Sequence, residues 1–237
     1  MKKAVILLSG GLDSTTTLYL AREKGFKTFA LIFDYGQRHR REVARARKIA
    51  RISGTPYRVM KINFPWKGSS LVDKRLPVPL DRREISSRIP STYVPGRNII
   101  FLSCAAAYAE VLGARAIFIG ANAIDYSGYP DCRPRFYRSF QEALAEGLKA
   151  GVEGKRIKIH TPFLQKTKAQ IIQEGLRLGV PYSLTWSCYR GGKRPCGRCD
   201  SCLLRGKGFA RAGVSDPSIS SSGTRGGKAA ARGRAGT

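Results

Sequence analysis

The chain has 237 residues, 42% hydrophobic and 25% charged, which suits one main soluble globular domain with room for a small appended module. Its 43 basic and 16 acidic residues give a net charge of +27, and charge alone does not choose among anionic substrates, RNA contact and a generally basic proteome. No apolar run approaches the length of a membrane span, and Met1-Lys2-Lys3 leads into a strand pattern rather than a signal peptide, so the expectation is a cytoplasmic protein.

In chain order, Ala4-Val5-Ile6-Leu7 reads as a short buried strand and residues 15–23 as a helix. Between them lies Leu8-Ser9-Gly10-Gly11-Leu12-Asp13-Ser14. Two glycines allow a sharp turn and close backbone approach to an anion, and the following helix opens with unpaired amides and a partial positive charge. The competing reading is a tight turn with Asp13 as a helix cap. The spacing lacks the Gly-Lys-Ser/Thr ending of the Walker loop and the glycine pattern of dinucleotide-binding folds.

Residues 27–33 form a second apolar strand, followed by the loop Asp34-Tyr35-Gly36-Gln37-Arg38-His39, an amphipathic helix over 40–53 and a third strand over 57–62. Residues 63–97 carry Pro65, Pro77, Pro79, Pro90 and Pro95 without periodicity, a long excursion of the kind that serves as a lid or binding loop. An alanine-rich helix follows over 98–112, then a fourth strand over 114–119 and a Gly/Pro loop containing Asp125, Tyr126, Asp131 and Cys132. A helix runs from that loop through about Lys149, a short strand covers 157–159, and a further helix covers 166–178. From Ser218 the chain becomes a Ser/Gly/Ala/Arg/Lys tail containing Arg225, Lys228, Arg232 and Arg234, read as a disordered basic segment.

Alternating strands and helices specify an α/β fold, an open, mostly parallel, doubly wound sheet of Rossmann type with right-handed crossovers. Function belongs at the carboxyl ends of its strands, near a topological switch point. The expected division is a catalytic domain over 1–180, a metal-binding module over 181–217 and the tail over 218–237. That module rests on Cys188, Cys196, Cys199 and Cys202, separated by seven, two and two residues. Four thiolates fill a tetrahedral shell and leave no open position for water, so the expectation is one structural zinc per chain. Arg190, Lys193, Arg194 and Arg198 would partly offset the anionic cluster, and such modules can also contact nucleic acid.

Ser9-Gly10-Gly11-Leu12-Asp13-Ser14 resembles the PP-loop of the ATP pyrophosphatase superfamily, which has an adenine-nucleotide alpha-hydrolase-like fold. With the loops after strands two and four, Ser91-Thr92-Tyr93-Val94-Pro95-Gly96-Arg97-Asn98 and Pro195-Cys196-Gly197-Arg198-Cys199-Asp200-Ser201-Cys202, the chain to about residue 212 resembles the 7-cyano-7-deazaguanine synthase family. The resemblance implies a ligase that converts 7-carboxy-7-deazaguanine and ammonia to the nitrile for queuosine or archaeosine. The carboxylate and then the amide would be adenylated in turn, with two ATP going to AMP and diphosphate.

By the same resemblance, Leu8, Ser9, Gly10, Gly11, Leu12, Asp13 and Ser14 would hold ATP, with Asp13 on the magnesium side and Asp13, Ser14 and Arg97 serving catalysis. Arg97 follows a proline-glycine turn at a helix start, placed to stabilise phosphate charge. Tyr35, Gln37 and Arg38 would bind or close over substrate, and Asp125, Tyr126 and Asp131 would recognise the base by a carboxylate and a stacked ring. The counter-reading for the last three is ordinary turn formation. His39, a lone loop histidine, receives no proton-transfer role, and Cys132 has no evident base beside it. A homodimer is expected from the family, free ammonium is the simple nitrogen source, nucleic acid is not required, and the tail leaves room for weak RNA contact. Two rival readings stand beside this one. They are a PP-loop enzyme that thiolates or amidates a tRNA base, and a non-catalytic zinc module that binds RNA.

Overall fold

The computed structural model describes residues 1–82, 89–122 and 128–219. Five parallel strands form one sheet: β1 (Lys3–Leu7), β2 (Lys27–Asp34), β3 (Tyr57–Lys61), β4 (Ala116–Ile119) and β5 (Lys158–His160), in the order β3-β2-β1-β4-β5. Val5 lies beside Phe29 on one side and Ile117 on the other. The chain winds outward from β1 through β2 to β3, then returns to place β4 against the other edge of β1. The switch point therefore falls between the carboxyl ends of β1 and β4.

Strand alternation divides the core between two faces. Val5, Leu7, Leu31, Phe33, Ile117 and Ile119 point to one, where α3 (Arg97–Leu112) and α4 (Pro134–Gly147) pack. Ala4, Ile6, Ala30, Ile32 and Phe118 point to the other, beneath α1 (Leu12–Glu23) and α2 (Arg41–Ile52). Both faces are covered, which is why the inner strands β1, β2 and β4 are mostly apolar.

Several boundaries differ from the sequence reading. Helix α1 starts at Leu12 rather than at residue 15, because the turn is complete at Gly11 and Asp13 already lies in the first helical turn. The helix after the Gly/Pro loop ends at Gly147, Leu148 is extended, and a single turn α5 (Lys149–Val152) follows. Helix α6 (Lys168–Arg177) begins at a capping box in which Thr167 and Gln170 satisfy each other's backbone amides. A seventh helix, α7 (Asp200–Arg211), starts directly at the last cysteines and packs on α6 through Phe209, Ile171 and Ile172.

Candidate active site

The loop after β1 turns through Gly10, whose φ is 84°. A Cβ there would lie 2.5 Å from the carbonyl oxygen of Glu42 and 2.6 Å from the amide of Ala46, so only glycine lets the loop rest on α2. Within the loop the serines satisfy one another. The hydroxyls of Ser9 and Ser14 are 2.9 Å apart, the Ser9 amide donates to Ser14 Oγ at 3.2 Å, and the Gly11 amide donates to Ser9 Oγ at 3.2 Å. Among the described residues no side chain caps the start of α1, which leaves its first amides open to an anion.

This loop forms one wall of a cavity of about 250 Å³ over the switch point. Leu8, Ser9, Gly11, Leu12, Asp13 and Ser14 line it, whereas Gly10 is turned away against α2. Tyr35, Gln37, His39 and Glu42 enter from the β2 side, Arg97 and Asn98 from the start of α3, Tyr129 and Cys132 from the loop after β4, and Lys168 from α6. Trp186, Tyr189 and Arg205 complete the lining.

The walls are locked by their own bonds. The Trp186 amide donates to the Gly10 carbonyl at 2.9 Å and its indole Nε1 donates to the Cys188 carbonyl at 2.9 Å, joining the loop to the cysteine module. The Arg41 guanidinium sits 5.4 Å above the Trp186 ring. Arg205, 5% exposed, pairs with Asp216 at 2.7 Å and donates to Thr185 Oγ1 at 2.7 Å. This buried pair ties the start of the module to the segment after α7.

The expected substrate residues divide in space. Gln37 lines the cavity, but its amide is spent locally, accepting from the Tyr35 amide at 2.8 Å and donating to the Phe33 carbonyl at 3.2 Å. Arg38 is absent from the cavity wall: its guanidinium donates to the carbonyls of Asp73 at 2.9 Å and Leu76 at 3.0 Å, strapping down the proline-rich excursion. Asp131 is buried and accepts from the Asn98 amide at 3.0 Å, capping α3 from outside the cavity lining. Asp125 and Tyr126 lie outside the described residues.

Arg97 stands where the α3 turn was expected to place it. Burial opposes its charge, but the groups facing it, the Asp131 carboxylate among them, outweigh that and hold it protonated. Burial also pushes the Tyr35 phenol up and the Cys132 thiol up to about 12, so both stay neutral and neither serves as a nucleophile.

Lys168 is among the cavity residues that the sequence did not single out. Lys168, 11% exposed, donates to both Asp13 carboxylate oxygens at 2.9 and 2.7 Å. Gly208 of α7 makes room for its stem, since a Cβ there would come within 2.4 Å of Lys168 Cγ. The signal for it was a lysine directly after a capping-box threonine at a helix start.

The four cysteines converge as their spacing predicts, with all sulfur atoms within 4.8 Å of one another. The Cys196 amide donates to Cys188 Sγ at 3.3 Å, and the amides of Arg198 and Cys199 donate to Cys196 Sγ at 3.5 and 3.3 Å. The neighbouring thiols of Cys199 and Cys202 hold Cys188 well below the usual thiol range. Converging sulfurs braced by backbone amides fit a tetrahedral thiolate-bound metal. The excursion is pinned to this module, with Arg198 paired to Asp81, Arg82 paired to Asp200, and the Asp81 amide donating to the Arg198 carbonyl at 2.8 Å.

A glycine turn before an uncapped helix start, a buried arginine and a lysine surround a cavity at the switch point of a doubly wound α/β sheet that carries a metal-type cysteine module, the arrangement expected of a nucleotide-binding α/β protein. Residues 3–213 match the family described as "Queuosine biosynthesis protein QueC". Relatives named "7-cyano-7-deazaguanine synthase" include one from Anaeromyxobacter sp. (strain Fw109-5), 52% identical over 92% of this chain and 96% of its own. Another, from Thermoplasma acidophilum, is 52% identical over 91% of each chain. The solved NMN synthetase of Francisella tularensis aligns over 80% of this chain and 67% of its own at 18% identity and a TM-score of 0.46, too low to bear on function. The chain belongs to the QueC family of queuosine biosynthesis proteins.

No helix among the described residues is long and apolar enough to cross a membrane.

Proposed function

We propose that this protein is a C–N-bond-forming ligase that makes 7-cyano-7-deazaguanine from 7-carboxy-7-deazaguanine, ammonia and ATP. The observation that carries the reading is family membership over residues 3–213, joined to a cavity in which Ser9, Asp13, Ser14, Arg97 and Lys168 share one wall system. A carboxylate resists attack by ammonia, and adenylation gives it a leaving group. A second adenylation, on the amide oxygen, then allows elimination to the nitrile. Two ATP are consumed per product, each to AMP and diphosphate.

In this reading the first amides of α1, from Leu12 onward, and the hydroxyls of Ser9 and Ser14 bind the β and γ phosphates, with Leu8, Gly10 and Gly11 shaping the loop. Magnesium, when bound, would neutralise phosphate charge, and Asp13 would hold it once Lys168 passes from the carboxylate to a phosphate oxygen. Arg97 steadies charge on the transferring phosphoryl group, and preorganised cations in a dry pocket favour that charge more strongly than water does. Tyr35 and Gln37 shape the substrate pocket, while Arg38 and Asp131 act one step removed, by holding the excursion and α3. Asp125 and Tyr126 are proposed to recognise the base.

The converging thiolates are proposed to hold one structural zinc, with 1–180 as catalytic domain, 181–217 as zinc module and 218–237 as tail. A cytoplasmic homodimer using free ammonium is the accompanying expectation. Nucleic acid is not required, and the basic tail leaves room for weak RNA contact. Diphosphate–ATP exchange tests the first half-reaction. Label should pass from diphosphate into ATP when carboxy-deazaguanine is present and stay in diphosphate when it is omitted. Exchange driven by transfer RNA instead would favour the rival base-modifying reading.

A further inference from the structure

Ammonia brings three hydrogens to the reaction and a nitrile keeps none, so a site that performs the proposed conversion has to accept protons in both halves. In the first half the nitrogen attacks the carbonyl carbon of the acyl adenylate, the bond to the AMP oxygen breaks, AMP departs as an anion and one proton leaves the nitrogen. In the second half the adenylated amide loses its two remaining N–H protons as the C–O bond breaks, the C≡N bond forms and AMP departs again.

Several neighbouring ionisable groups among the described residues are committed elsewhere. The Asp13 carboxylate and the Lys168 ammonium are bonded to each other, the Cys132 thiol is held protonated by burial, and Arg97 is a permanent cation. His39 differs. It is 2% exposed, lines the cavity and brings Nε2 to 2.9 Å from Glu42 Oε2. Its other nitrogen, Nδ1, is buried and meets no hydrogen-bond partner among the described residues. A buried polar atom left unpaired is costly, and an imidazole whose Nε2–H is held by a carboxylate presents a lone pair on Nδ1.

The pair adjoins the phosphate loop: Glu42 Oε1 lies 3.9 Å from where a Cβ of Gly11 would stand, and the Glu42 carbonyl packs on Gly10. The Tyr189 ring lies tilted beside the imidazole, with centroids 5.8 Å apart.

We propose that the His39–Glu42 pair is the proton acceptor of the amide- and nitrile-forming steps. Nδ1 takes each proton, and the Glu42 carboxylate orients the ring and stabilises the imidazolium until it releases that proton to solvent. The proposal rests on the synthase reading and assigns no part in adenylation to either residue. It also revises the sequence-based treatment of His39, whose partner lies only three residues further along the chain.

The test compares two half-reactions in full-length His39→Gln. Diphosphate–ATP exchange driven by carboxy-deazaguanine is expected to stay within about threefold of wild type, while amide and nitrile formation fall roughly 10²- to 10⁴-fold, the range typical of a lost general base. Hydroxylamine, a stronger nucleophile than ammonia, should still trap the acyl adenylate as hydroxamate. Nitrile formation at the wild-type rate overturns the proposal. So does a parallel loss of exchange and nitrile in a folded variant, which would mark the pair as structural. If His39→Gln does not fold, Glu42→Gln keeps the imidazole and carries the same comparison, with a smaller loss confined to the nitrogen steps. A wild-type protein that makes no nitrile would instead defeat the synthase reading, an outcome the variants cannot mimic.

Discussion

Lys168 Nζ bonds both oxygens of the Asp13 carboxylate, at 2.9 and 2.7 Å, across 155 residues of sequence. The two groups are 11% and 26% exposed, and in a part-buried pair the cost of desolvation offsets much of the attraction, so its net contribution to the fold is about 1 kcal/mol or less. Its consequence is local: α6 is joined to the loop after β1 by a bond that, in the proposed function, an incoming phosphate and cation exchange. Lys168→Met and Asp13→Asn should each lower kcat/KM for ATP roughly 10²-fold or more, with the circular dichroism spectrum and bound metal unchanged. Unfolding of either variant would show that the pair serves structure instead.

Gly10→Ala should act on the fold. The substitution places a side chain at a φ of 84° and drives its Cβ to 2.5 Å from the Glu42 carbonyl. Strain and collision together should cost about 2 kcal/mol or more, read as a lower urea midpoint at unchanged slope. An unshifted midpoint would mean that the loop can leave α2 without penalty.

Cys199→Ser should release the metal. Cys199 is fully buried, its sulfur belongs to the converging set, and it stands at the start of α7. Metal analysis should find one zinc per wild-type chain and none in the variant, with a loss of roughly 3 kcal/mol, or about 10 °C in Tm for a domain of this size. A metal-free protein with wild-type stability would remove the structural role.

His160 carries a pH signature. Burial, and then the charges of Lys158 and Lys24, lower its pKa from 6.5, and its ring stacks on Phe118 with centroids 4.5 Å apart. A depressed histidine binds its proton more readily in the unfolded chain. Its contribution is therefore fully present above pH 6.5 and is lost as pH falls through the lower folded value. The Tm of wild type relative to His160→Phe should fall as the solution is taken below that pH, and a difference that stays flat would contradict the assignment.

Much of the architecture is legible in local patterns. The apolar strands, the amphipathic face of α2 and the cysteine spacing each specify their own element, since period and ligand chemistry act over a few residues. Helix α7 was not legible because Gly206 and Gly208 interrupt its helical signal, and its stability comes from Phe209 packed against α6. Long-range pairing was equally hidden. Nothing near Lys168 announces Asp13, and Arg38 reads as a substrate ligand until its bonds to the Asp73 and Leu76 carbonyls are seen. Asp131 belongs to the same class, a carboxylate in a turn whose partner is the first turn of a helix over 30 residues earlier.

The central claim is a chemical conversion, and product analysis tests it most directly. Purified protein incubated with ATP, magnesium, ammonium and 7-carboxy-7-deazaguanine should yield 7-cyano-7-deazaguanine by mass spectrometry, with two AMP and two diphosphate per nitrile. No nitrile under these conditions, together with ATP hydrolysis stimulated by transfer RNA, would contradict the account.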